Sequence, residues 1–406
     1  MTADPKHLFA GIKVLAVARV IAAPFAALHL ALNGADVITI ENPDEGDSAR
    51  HSEVRDEFLK PMMSRGFLTL NVNKRSLTLA LNTPEGQEIF RKLATDADVV
   101  IENLRSGAMA RYGLSYEDLK KINPRIIYCS VTGFGQTGPK AKDPGIDDAI
   151  QAASGLMSLT GTPETGPLKT GTTVVDYTTG YATAFTIAAA LFHRARTGEG
   201  QAIDIAMLEV AMTMMSNEVT RAITNGEQPS RVGNRSGSGR YVSNTFRCKE
   251  GVIMIAARSK NLRARFWKSI DREDIPADAR FATDALARQN IKELEAEIQK
   301  TLLTRTASVW EEKFNREGVP AMRVLSLLEA VNHPHVAARG FIKRFDADTA
   351  AGIPAYGIPT TAYRFSQTPS AISTRAPKLG EHSDAILAEL GLSAAEISGL
   401  RDRKIV

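Results

Sequence analysis

Short apolar runs alternate with amphipathic stretches through the first half of the chain, and this alternation leaves few folds open. IKVLAV (12–17) is apolar almost throughout, as suits a parallel strand buried on both faces. Pro24 stands in the first turn of the next helix, where a missing amide does no harm, and Gly34 suits its left-handed end. ADVITIE (35–41) supplies a second strand. The pattern then repeats. Thr83-Pro84-Glu85 starts a helix through Leu93, DVVIEN (98–103) is a strand, and residues 115–121 read as helix. RIIYCSVTGFG (125–135) is a strand running into a glycine loop, residues 147–159 read as helix, and QAIDIAML (201–208) as another strand. Such alternation implies a mostly parallel, doubly wound α/β sheet. Ligands should gather at the carboxyl ends of its strands, around residues 19–24, 102–105 and 132–138.

Glu41 ends the second strand where a dinucleotide-binding fold places a ribose reader. The first strand-to-helix turn is ARVIAAP, without the G-x-G-x-x-G that lets a pyrophosphate approach, which argues against a nicotinamide cofactor. The pattern changes after Gly226. EQPSRVGNRSGSGRY (227–241) is a polar, glycine-rich break, and YVSNTFRC and GVIMIAA, joined through Lys249-Glu250-Gly251, read as an antiparallel hairpin. Helical patterns at 261–270, 290–303 and 308–317 complete a smaller α+β domain. The expected division is 1–225, 226–325 and a return over 326–406.

The charge balance excludes little but does exclude something. Fifty basic against forty-six acidic residues leave +4, with no run of five or six like charges, so no nucleic-acid partner is expected. Two cysteines and no signal-peptide pattern point to reduced thiols and a cytoplasmic location, and Cys129 reads as a buried strand residue. No metal-ligand spacing links the seven histidines. The most apolar helix, around 181–192, is too short and too rich in threonine to span a membrane.

Asp176 lies within GPLKTGTTVVDYTTGYATAF, at the head of a long, almost uncharged helical pattern over about 177–194. Taken alone it reads as an N-cap. A carboxylate so placed could also act as a nucleophile.

Seven segments in order resemble the class III CoA-transferases, the CaiB/BaiF family, which includes formyl-CoA transferases and acyl-CoA racemases. They are GADVITIE (34–41), NVNKRSLTLAL (71–81), ADVVIENLRSGAMARYGLSYEDL (97–119), NPRIIYCSVTGFGQTGP (123–139), ASGLMSLTG (153–161), the Asp176 stretch, and RAPKLGEHSDAILAELGL (375–392). The resemblance implies a Rossmann-like large domain built from both chain ends, a small domain from the middle, and a homodimer whose subunits interlock like linked rings. It also implies that Asp176 is the nucleophile, passing through a mixed anhydride and an aspartyl-CoA thioester. Coenzyme A enters as substrate, and no permanently bound cofactor is implied. Amides at the start of the helix would hold Asp176 ionised and steady developing oxyanions.

The remaining family positions fall as follows. Ile21 and Ala22 occupy the CoA-contacting turn, where formyl-CoA transferases carry glutamine and alanine. Asn42 stands where those enzymes have an arginine. Lys74, Arg75 and Leu79 match one CoA-binding segment, and Asn103, Leu104, Arg105 and Arg111 another. For the cations a solvated face is the plain alternative. GNRSGSG (233–239), with Gly237 and Gly239, resembles a catalytic glycine lid and reads equally well as a linker. Tyr177 adjoins the nucleophile. Asp147 aligns with an acid that positions reacting groups, or it caps a helix.

Racemases of this family carry a histidine thirty residues before the aspartate. Ile146 stands there and cannot carry a proton, which favours acyl transfer over 2-methylacyl-CoA epimerisation or a non-catalytic CoA-binding role. Isoleucine at 21 and 146 hints at an acyl pocket less polar than oxalate would want.

Overall fold

The computed structural model describes residues 7–52, 56–59, 62–237, 241–350 and 352–406. The chain forms two compact units. The first comprises Met1–Leu156, Thr170–Ser216 and His335–Val406, the second Met157–Lys169 and Asn217–Pro334. These bounds differ from the expected division, because residues 157–169, 217–225 and 326–334 fall with the smaller unit. Backbone and side-chain bonds explain the first of these segments: Gly233 N donates to Gly161 O at 2.9 Å, and Arg231 Nη1 to Ser158 O at 3.3 Å.

The first unit is a mixed α/β body around a six-stranded, wholly parallel sheet. Its strands are β1 (Lys13–Val17), β2 (Asp36–Glu41), β3 (Lys74–Thr78), β4 (Val99–Glu102), β5 (Ile127–Thr132) and an edge strand, Gln201–Ala206. Their order is β3-β2-β1-β4-β5 and then the edge strand. Alternate side chains feed two cores. Leu15, Val17, Ile38, Ile40, Val100 and Tyr128 pack on one face, and Val14, Ala16, Val37, Val99, Ile101 and Cys129 on the other. This double burial is why the strands read as continuous apolar runs.

The chain builds outward from β1 to β3, then crosses back to β4 on the other side of β1. The loops after β1 and β4 therefore diverge, leaving a crevice at their carboxyl ends. The helix Ala22–Leu32 follows β1 and lies against the long helix Val174–Thr197. Gly180 makes that approach possible. A Cβ there would stand 2.7 Å from Phe25 Cδ1 and 2.8 Å from Ala22 O, so any side chain would push the two helices apart. Ala22 and the head of the long helix are thereby held close to the same crevice.

The smaller unit contains an antiparallel sheet of Ser243–Arg247, Val252–Ala256 and Ala321–Arg323. Its expected hairpin turn is present, with Cys248 N donating to Gly251 O at 2.9 Å and Gly251 at φ +81°. Phe266, Trp310 and Phe314 fill its core against Ile253 and Ile298. Among the described residues no helix is long and apolar enough to cross a membrane.

Candidate active site

A cleft of about 540 Å³ opens at the crevice between the β1 and β4 loops. Arg19 to Ala22 form one wall, Asn103 to Ser106 a second, and residues 131–133 with 141–146 a third; Asp176 also lines it. Asn103 binds the first two walls together. Its Oδ1 accepts from Arg19 N at 2.8 Å, and its Nδ2 donates to Arg19 O at 2.8 Å. Arg19, Arg105 and Lys142 are exposed along the cleft and bring three cations to it. Ile21, Ile146 and Met207 make part of its lining apolar, with Ile146 69% exposed.

Asp176 is the third residue of the long helix, which begins at Val174 rather than at about 177. The helix has no cap of its own: Thr173 precedes it and makes no side-chain capping bond. The cap comes from elsewhere. Asp147, at the start of the helix Asp147–Ala153 and 4% exposed, accepts through Oδ2 from Val175 N at 2.8 Å and Asp176 N at 3.0 Å. Its Oδ1 accepts from Gln151 Nε2 at 2.5 Å, and Gln151 Oε1 in turn accepts from Thr170 N at 2.9 Å. One buried carboxylate thus takes the amides that would otherwise face Asp176, and a glutamine clips it to the approaching strand of chain.

This arrangement reverses the expected electrostatics. Burial and then the negative charges of Asp147 and Asp148 push the Asp176 carboxyl up to about 7. The helix start does not hold it ionised, nor does it supply free oxyanion donors. Val174 N bonds to Thr172 O and Tyr177 N to Thr173 O, while Asp147 takes the two amides between them. What results is a carboxylate more basic than usual, whose charge is relieved when it is protonated.

Comparison with known proteins gives this geometry a family. A model described as CoA-transferase family III matches residues 9–383. The chain belongs to CoA-transferase family III. A succinate–glutarate CoA-transferase of Agrobacterium fabrum is 37% identical over 395 residues, covering 95% of this chain and 96% of that protein. A succinyl-CoA:glutarate CoA-transferase of Homo sapiens is 32% identical, covering 94% and 85% respectively. The crystal structure of a CaiB/BaiF family protein from Brucella suis superposes with a TM-score of 0.81 at 34% identity, covering 96% of this chain and all of that one. The activity class of this CoA-transferase family III member is accordingly CoA transfer.

Of the residues that the family resemblance pointed to, Ile21, Ala22, Asn103, Leu104, Arg105, Ile146 and Asp176 line the one cleft. Others do not. Lys74 is buried and its Nζ donates to Pro24 O at 2.8 Å and Asn71 Oδ1 at 2.9 Å; burial lowers its pKa to about 7. Arg75 is committed to Asp36 at 2.7 Å and Glu389 at 2.9 Å, and Leu79 is a core residue. Asn42 closes a local turn by accepting from Asp44 N and Glu45 N, and Arg111 is exposed outside the cleft lining. Tyr177 packs edge-on against Phe25 at 5.0 Å. Glu41 reads no ribose, being held in a buried ion pair with Arg50 at 2.7 Å.

In the smaller unit, Gly237 lines a cavity with Arg221, Arg235 and Arg258. The first half of the glycine loop is tied down there: Asn234 donates to Thr245 at 2.9 Å, and Arg235 pairs with Glu295 at 2.6 Å. Gly239 lies outside the described residues. Sequence reasoning passed over Arg19 and Lys142. Arg19 fell inside the window expected for ligands; Lys142 sits in a turn, GPKAKDPG, with no periodicity to mark it.

Proposed function

We propose that this family III enzyme moves CoA from an acyl-CoA thioester to a free carboxylic acid through covalent intermediates on Asp176. A basic, desolvated carboxylate lining a cleft that also presents Arg19, Arg105 and Lys142 is the observation that supports it. An Asp176 oxygen attacks the thioester carbonyl, the C–S bond breaks, and CoA leaves as thiolate, giving a mixed anhydride. The thiolate then attacks the Asp176 acyl carbon, forming an aspartyl-CoA thioester and freeing the donor acid. The incoming carboxylate attacks that thioester and expels CoA thiolate, giving a second anhydride. The thiolate attacks its acceptor acyl carbon, the C–O bond to Asp176 breaks, and the new acyl-CoA leaves with the Asp176 carboxylate restored. Acylation removes a negative charge that burial and Asp147 disfavour, so the interactions that raise the pKa also favour the covalent state. Labelled oxygen in the acceptor acid is expected to appear in Asp176; its absence after many turnovers would exclude the anhydride route.

Relatives named for succinate and glutarate suggest short dicarboxylic acids as donor and acceptor, and the apolar lining at Ile21 and Ile146 suits their methylene chains better than oxalate. A panel of acids against succinyl-, acetyl- and formyl-CoA tests this, and a preference for oxalate would refute it. Ile146, beside Asp176 in the cleft, offers no second base, so deuterium should not enter the α-position of a chiral 2-methylacyl-CoA.

Arg19, Arg105 and Lys142 are assigned to the phosphates of CoA. Alanine at any of them is expected to raise KM for acyl-CoA roughly three- to tenfold, with kcat little changed and the effect shrinking in high salt. The pH profile carries a further expectation. Because the Asp176 pKa is raised, the reactive form is present above about pH 7 and lost below it, so kcat/KM should fall about tenfold per unit on the acid side.

The interlocked homodimer belongs to the same proposal. Tyr181, Phe185 and Phe192 of the long helix are 43%, 73% and 65% exposed and share one stripe. Exposed apolar stripes of this kind mark association surfaces. Sedimentation should give a dimer that persists on dilution.

A further inference from the structure

Val20 is a β-branched residue in the left-handed region, at φ +66°. Few residues of its type adopt that conformation, and one held there is disfavoured on the order of tenfold or more against its alternatives. It also lines the cleft, 48% exposed, between the exposed Arg19 and the turn residues Ile21 and Ala22. Something must hold it.

The holding group is Asp47. This carboxylate is 3% exposed and accepts from Val20 N with both oxygens, at 3.1 and 3.2 Å. It also accepts from Ala49 N at 2.9 Å, capping the short helix Ser48–His51, whose first residue, Ser48, lines the cleft. Asp47 is fixed from behind. Its own amide donates to Glu41 Oε2 at 3.0 Å, and Glu41 is gripped by Arg50 and by Ser76 Oγ at 2.7 Å. Arg50 is fully buried and stacks on Phe67 at 3.7 Å. The buried Glu41–Arg50 ion pair is therefore the foundation of a backbone clamp.

We infer that Asp47 is a positioning residue for CoA, holding Val20 in its strained conformation so that the turn 19–22 is pre-formed to receive the ligand. The assignment rests on the cleft being the CoA site. Without the clamp the turn spreads over other conformations, and apparent affinity falls by the fraction that remains competent.

The test is CoA binding by calorimetry, with thermal melting and steady-state kinetics on the same samples. Asp47→Ala should bind CoA about tenfold more weakly and raise KM for acyl-CoA by a similar factor, with kcat within about twofold. Asp47→Asn keeps one acceptor oxygen and the same shape, so it should lose about threefold and serve if the alanine variant does not fold. Glycine tolerates positive φ, so Val20→Gly placed on Asp47→Ala should recover part of the lost affinity. A purely structural role would lower the melting temperature without this recovery. A folded Asp47→Ala protein that binds CoA as the parent does overturns the positioning role alone. If the parent itself binds no CoA, the reading of the cleft fails and the positioning role fails with it.

Discussion

Asp176→Ala is expected to lower CoA transfer by at least about a thousandfold while leaving CoA binding within a few-fold of the parent. The size follows from the role: removing a covalent nucleophile costs several orders of magnitude, because no neighbouring group takes up its chemistry. Of the nearby carboxylates, Asp143 in the cleft lining is paired with Lys140 at 2.9 Å, and both oxygens of the buried Asp147 are taken by Val175 N, Asp176 N and Gln151. Asp176→Asn should be equally inactive, yet more stable than the parent at alkaline pH. The sign follows from the raised pKa. A carboxyl titrating near 7 in the folded protein and near 4 unfolded has its full stability below pH 4 and loses it progressively up to and through 7. The amide avoids that loss, by about 1–2 kcal/mol after allowing for the group's partial exposure. Transfer assays with melting curves at pH 5 and 8 check both halves. An active Asp176→Ala would remove the covalent mechanism.

Asp147→Asn should lower kcat by roughly tenfold to a hundredfold, the second largest effect on catalysis. The shape of the side chain is kept, but its bonds cannot be. Both carboxylate oxygens accept, one from two backbone amides and the other from Gln151 Nε2. An asparagine must turn its amino group toward one of these donors. Rotating Gln151 to accept instead would break its bond from Thr170 N. The head of the long helix then shifts, and a displacement near 1 Å at a nucleophile is costly. Loss of the neighbouring charge also lowers the Asp176 pKa, so the acid limb of the kcat/KM profile should move to lower pH. A residue with only a structural role would lower stability and leave that limb where it is.

The alternating runs carried the sheet, because strands buried on both faces must be largely apolar; Val99 to Ile101 and Ile127 to Cys129 show it. The strand-end windows were legible for the same reason, since parallel strands put their carboxyl ends on one side. Residues 19–22, 103–105 and 132–133 from those windows line the cleft, while strand order was not legible. Asp176 was legible as a chemical group but not as an electrostatic one. The cap on its helix comes from 29 residues upstream, and no local pattern links Asp147 to Val175 N. The surroundings of Lys74 and Arg75 were not legible, because a basic pair on a strand looks alike whether its neighbours are water, phosphate or protein acids. Only the register of β3 beside β2 set Arg75 opposite Ile38, within reach of Asp36. Tertiary partners decided what these cations do.

The borrowed cap has a consequence during biosynthesis. In a nascent or unfolded chain Asp176 is an ordinary solvated aspartate, with the weak basicity of its kind. Its carboxyl is pushed up only once folding buries it and brings Asp147 alongside. The raised basicity is thus acquired on folding rather than carried by the residue. On the proposed mechanism, a chain still being made would carry no activated carboxylate to acylate.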